Sequence, residues 1–164
     1  MYLYDNLLRE CDNLEIEVYE RKGMKNKGLY SDNVIWINKW IPSIVEKRCV
    51  LAEELGHYHT TVGNILDQTN IINRKQELKA RGWAYEKLIP LSNIILAHKS
   101  HIINRYELAE FLNVTEEFLE AALDWYKSKY GLCVTIDNFT IYFEPLGVLE
   151  MFDWIDTPIS KSGT

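Results

Sequence analysis

Glu53, Glu54 and His57 stand in one short stretch, Leu51-Ala52-Glu53-Glu54-Leu55-Gly56-His57-Tyr58, whose residue types suit metal-assisted hydrolysis. On a helix, residues four apart stand one above the other, so Glu53 and His57 point at a common ion while Glu54, turned by about 100°, lies beside it. The spacing is that of the H-E-x-x-H helix with its first His replaced by Glu. In such a site the flanking pair anchors the ion and the intervening Glu takes a proton from water. A third ligand must come from elsewhere, and Glu77 is the candidate. Ala80 and Ala84 share its face of a second helix, and their small side chains let that helix come close to the first. Glu86 lies about 180° from Glu77 around the same helix, and His59 is off the Glu53 and His57 face, so both are poorer ligands.

The surrounding pattern says which elements must position these groups. Tyr4, Leu7, Leu8 and Cys11 recur at helical spacing. Leu14 to Glu20 alternates as a half-buried strand, and turn residues at Gly23, Gly28 and Ser31-Asp32-Asn33 divide two further strands, Leu29-Tyr30 and Val34 to Ile37, giving a small antiparallel meander. Pro42 suits a first helical turn, and Ser43 to Thr61 reads as the central helix, ended by Val62-Gly63-Asn64. A second helix runs from about Arg74 to Leu88 before Pro90, and a third from Leu91 to His98. Two more occupy Tyr106 to Tyr130, broken near Asn113 and capped by Thr115. Leu132 to Ile136 and Phe139 to Phe143 read as a hairpin around Asp137-Asn138. The expected fold is α+β: a three-stranded antiparallel sheet, five or six helices and a C-terminal β-hairpin, in one domain over residues 1–156 with a loose tail over 157–164.

These residues resemble a known family. Leu51 to His57, then Glu77-x-x-Ala80 and Trp83-Ala84-x-x-x-Leu88-Ile89-Pro90, look like the ImmA/IrrE-type metallopeptidases. Glu17-Val18-Tyr19, Lys27-Gly28-Leu29 and Val34 to Asn38 sit where that family places its small sheet. The resemblance implies a zincin-like domain in which Glu54 is the general base and Glu53, His57 and Glu77 are the metal ligands. It also implies zinc as the ion, with manganese an alternative, and a partner regulatory protein as substrate, typically a helix-turn-helix repressor of a phage or mobile element. The departure is at position 53, where most of the family has His. Two carboxylates and one imidazole make a more negative and harder ligand set. A catalytically inactive binding protein, sequestering a repressor or forming half of a toxin-antitoxin-like pair, is the second reading.

Other features point less far. The start of the chain lacks the basic and apolar segments of a signal peptide, and no apolar run is long enough to span a membrane, so a cytoplasmic protein without membrane association is expected. Cys11, Cys49 and Cys133 have no CxxC pairing and read as reduced thiols. A net charge of −6 argues against nucleic-acid binding. Arg105 to Tyr126 resembles a helix-turn-helix, but Glu107, Glu110, Glu116, Glu117, Glu120 and Asp124 would repel phosphates, so it reads as a structural helical hairpin or a surface for a basic partner. The cations between Arg74 and Lys87 read as a solvated helix face. His98 and His101 read as surface residues, Asp67 as a loop cap, and Trp83, Trp125 and Tyr126 as packing.

Overall fold

Ser43, not Pro42, starts the central helix. Its hydroxyl accepts from the Glu46 backbone N–H at 3.0 Å, and α2 (Ile44–Thr60) follows with Leu51, Ala52 and Leu55 fully buried. The computed structural model describes residues 2–60 and 70–152; Asp67, the Val62-Gly63-Asn64 segment and the tail over 157–164 lie outside them. The elements described are α1 (Tyr2–Asn13), β1 (Glu17–Arg21), β2 (Gly28–Ser31), β3 (Val34–Asn38), α2, α3 (Asn70–Leu88), α4 (Leu91–Lys99), α5 (Arg105–Leu112), α6 (Glu116–Tyr130), β4 (Cys133–Ile136), β5 (Phe139–Phe143) and β6 (Leu146–Glu150). The class is α+β.

Two details of the sheets correct the sequence reading. The N-terminal sheet is not an antiparallel meander: its order is β1-β3-β2, with β1 parallel to β3 and β2 antiparallel to it. The reason lies in β3, where Ile35 and Ile37 are wholly buried; the strand with the deepest apolar face takes the centre, and the polar β1 and Gly-initiated β2 take the edges. At the C-terminal end, the expected hairpin gains a third strand, since β6 pairs antiparallel with β5 in the order β4-β5-β6.

α2 packs on the N-terminal sheet and α6 on the C-terminal one, and α3 lies between these two helices, in contact with both. Gly56 of α2 meets α3 so closely that a Cβ there would fall 2.1 Å from the Ala80 carbonyl oxygen. Ala80 and Ala84 are fully buried beside it, as their small side chains led us to expect. The obstruction is backbone, which cannot rotate away. Gly56→Ala therefore destabilises the fold: the gain of about 1 kcal/mol in helix propensity is outweighed by an overpacking cost of about 1–3 kcal/mol, and Gly56→Val is worse. A lowered urea-unfolding midpoint for both variants checks this; an unchanged or raised midpoint contradicts the close helix approach.

Arg48 ties α2 to the α5–α6 hairpin. Its buried guanidinium donates to the Leu112 carbonyl at 3.1 Å and to the Asn113 carbonyl, closing the C-terminal end of α5 where helix carbonyls lack partners. Asn113 turns the chain with φ 53°, and the Thr115 hydroxyl caps α6 by accepting from the Phe118 N–H at 3.1 Å. The two helices bury Leu108, Ala109, Leu112, Phe118, Leu119 and Tyr126 and expose their carboxylates. Trp83 and Trp125 are half-buried and pack against the core.

Candidate metal and hydrolytic centre

Helix geometry puts Glu53, Glu54 and His57 on the part of α2 that faces β2 and α3. Across from them, Glu77 of α3 extends one carboxylate oxygen to within 3.2 Å of His57 Nε2. Donors held about 2.0–2.1 Å from a tetrahedral ion stand roughly 3.3 Å apart, so this pair already has the span of two ligands sharing one ion. The other Glu77 oxygen accepts from Arg81 Nε at 2.8 Å, one helical turn on.

Glu53 lies in the field of the same groups. Burial raises its carboxyl above the ordinary range; Arg81 and Lys27 oppose that rise, while Glu77 adds to it. Among the described residues no three His, Cys, Asp or Glu side chains stand together at ligand spacing, so Glu53 does not close on the His57 and Glu77 pair. Like charges explain the gap: three carboxylates in one half-buried site repel until a cation joins them. Glu53, His57 and Glu77 offer the oxygen and nitrogen donor types that a divalent ion takes, but only His57 and Glu77 stand at ligand spacing.

Glu54 packs the other way, against the sheet. A Cβ on Gly28 of β2 would fall 2.5 Å from Glu54 Oε1 and 2.7 Å from Val50 Cγ1, so a larger residue there would displace this carboxylate. Burial, then Glu53 and Glu77, push the Glu54 carboxyl up to about 7, while the Tyr30 backbone N–H pulls against them. A value near neutrality suits a group that takes and returns a proton.

The sign of the resulting pH dependence is fixed. A carboxyl whose folded value lies above its ordinary 4.5 supports the fold fully below that pH, and the support is lost as pH rises through about 7. Glu53 shifts in the same direction. The cation-free protein is expected to lose up to about 3 kcal/mol between about pH 5 and about pH 8 from Glu54 alone. Urea unfolding of wild type and Glu54→Gln at the two pH values checks it: the substitution flattens the profile, and an equal slope in both proteins contradicts the assignment.

The remaining candidates fall elsewhere. Glu86 faces α6, where it pairs with Lys129 and accepts from Trp125 Nε1 at 3.4 Å. His59 stacks on Trp83 with ring centroids 4.5 Å apart, off the site face. His98 and His101 are exposed and line an apolar cleft of about 410 Å³ between α4 and β6. Cys11 and Cys49 are buried thiols whose burial pushes them up to about 11. Sequence reasoning treated Arg81 as one charge in a solvated run and Gly28 as a turn. The i, i+4 spacing from Glu77 could have singled out Arg81; the role of Gly28 needs the fold.

The fold is α+β, and in it two closely packed helices bring one imidazole, His57, and one carboxylate, Glu77, to within 3.2 Å of each other. The chain belongs to a peptidase family: the family model described as the IrrE N-terminal-like domain matches residues 11–124. That span runs from the end of α1 into α6 and includes Glu53, Glu54, His57 and Glu77. No curated protein and no solved structure gives a match. No helix among the described residues is long and apolar enough to cross a membrane.

Proposed function

We propose that the protein is a cytoplasmic metallo-endopeptidase that cuts a partner regulatory protein, with a helix-turn-helix repressor as the partner class. The observation that carries the reading is the convergence of His57 and Glu77 from separate helices at 3.2 Å, beside a Glu54 carboxyl raised to about 7. Glu53, His57 and Glu77 would hold the ion, zinc or manganese. When bound, that ion supplies Lewis acidity to the water and to the scissile carbonyl.

The chain's own residues do the rest. Glu54 takes a proton from the attacking water and returns it to the leaving amine. Glu77 is steadied by Arg81, so that one oxygen stays free to face His57. β2 is an edge strand whose Gly28 touches Glu54, so an extended substrate adding to that edge would lie beside the base.

A second reading is a zincin-fold binding protein that sequesters its partner uncut, as one half of a toxin-antitoxin-like pair. It is favoured by the same carboxylate at position 53, which does not stand at ligand spacing. The experiment is incubation of the zinc- or manganese-loaded protein with the helix-turn-helix product of an adjacent gene, followed by mass spectrometry of the partner. Discrete fragments produced by wild type but not by Glu54→Gln support hydrolysis. A partner that binds and stays intact with either metal leaves only the sequestering reading.

A further inference from the structure

The pleat of the N-terminal sheet sorts its residues onto two faces. Val18, Ile35, Ile37 and Tyr30 point inward to the helices, whereas Tyr19, Trp36 and Leu29 sit side by side in register on the outer face. Tyr19 is 46% exposed and Leu29 49%. Tyr19 and Trp36 stack with centroids 5.1 Å apart, and the Arg21 guanidinium lies 5.8 Å from the Trp36 ring. Just past the sheet, Trp40 is 67% exposed, held near Arg21 by the Lys39 N–H, which bonds the Arg21 carbonyl at 2.9 Å.

Charge on this face is polarised. Arg21, Lys22, Lys25 and Lys39 gather at one end, all exposed, and none meets a carboxylate within ion-pair distance among the described residues. Lys27 is different, since it pairs with Glu46 at 2.7 Å. Glu17 and Asp32 lie toward the opposite end, where the Glu17 carboxylate accepts from the Tyr19 hydroxyl. In a chain of net charge −6, four cations without an ion-pair partner among the described residues, beside exposed aromatic side chains, form a local reversal of sign.

We propose that this outer face is a docking surface for a segment of a partner protein that is apolar at its centre and acidic where it crosses the Arg21 end. Tyr, Trp and Arg are the residue types that dominate protein interfaces when clustered, and the exposed cations select the sign of the occupant. A single-stranded nucleic acid fits less well: bases need open ring faces, and Trp36 is already engaged by Tyr19 and Arg21. The surface is separate from Glu54, so binding here does not depend on whether the chain cuts.

The test uses the full chain and a fluorescein-labelled synthetic peptide with an acidic run of Asp and Glu followed by alternating Leu and Phe. Fluorescence anisotropy is expected to show saturable binding that weakens as salt rises. Tyr19→Ala and Arg21→Glu should each weaken it by about 10-fold or more, in line with hot-spot losses. Glu54→Gln should bind as wild type does, and the circular dichroism and urea midpoints of the two surface variants should match wild type. No saturable binding, equal binding by folded Tyr19→Ala and Arg21→Glu, or displacement by an oligothymidylate overturns the proposal. The last result would assign the face to nucleic acid instead.

Discussion

Glu54→Gln is expected to abolish partner cleavage, lowering the rate by about 100- to 10,000-fold, the range that a positioned general acid–base supplies. The substitution keeps size and hydrogen-bonding capacity but removes the proton-accepting oxygen. Two elements hold Glu54 where this role needs it: its own helix α2, and β2, which offers the Gly28 backbone against which the carboxylate lies and the Tyr30 N–H nearby. Because Glu54 is not one of the proposed ligands, the variant should still take up zinc. Single-turnover assays with loaded protein read the first effect and calorimetry the second. A Glu54→Gln protein that cuts at more than about a tenth of the wild-type rate removes the residue from the chemistry.

His57→Ala carries the second large effect, a loss of divalent-ion affinity greater than about 100-fold. Outer partners of metal ligands are worth roughly 10- to 100-fold, and a direct ligand must exceed them. His57 is the sole nitrogen donor in the proposed set, and its loss leaves Glu77 bound to Arg81 alone. Glu77→Ala should weaken binding comparably, while Glu86→Ala, on the α6 side of α3, should leave it unchanged. Isothermal titration with zinc compares the three. If Glu86→Ala weakens binding as much as His57→Ala does, the ion sits elsewhere.

The helices were legible because their information is local. Periodicity places α2 and α3 within a few residues of where they lie, and the spacing of Glu53 and His57 on α2 follows from 3.6 residues per turn. The reach of Glu77 to His57 was also foreseeable, since the small Ala80 and Ala84 announce a close helix approach; Gly56 proves to be its partner on the other helix. Strand pairing is not local. Successive turns suggested that β1, β2 and β3 pair in sequence order, but the buried Ile35 and Ile37 draw β3 to the centre, an effect that only the packed helices produce. β6 escaped notice because Gly147 interrupts a short strand that directly follows Pro145. Within the site, the Tyr30 backbone was hidden for the same reason, since it reaches Glu54 from another element, whereas Arg81 sits at i+4 from Glu77 and was locally legible.

In the proposed function, α2 and α3 jointly present a divalent-ion site. Crystals of the protein grown with zinc, measured at the zinc absorption edge, test it directly. An anomalous peak is expected within about 2.0–2.2 Å of His57 Nε2 and a Glu77 oxygen, with Glu53 drawn in as a third ligand. A zinc-saturated crystal with no peak between these helices, or with the ion held by other residues, would contradict it.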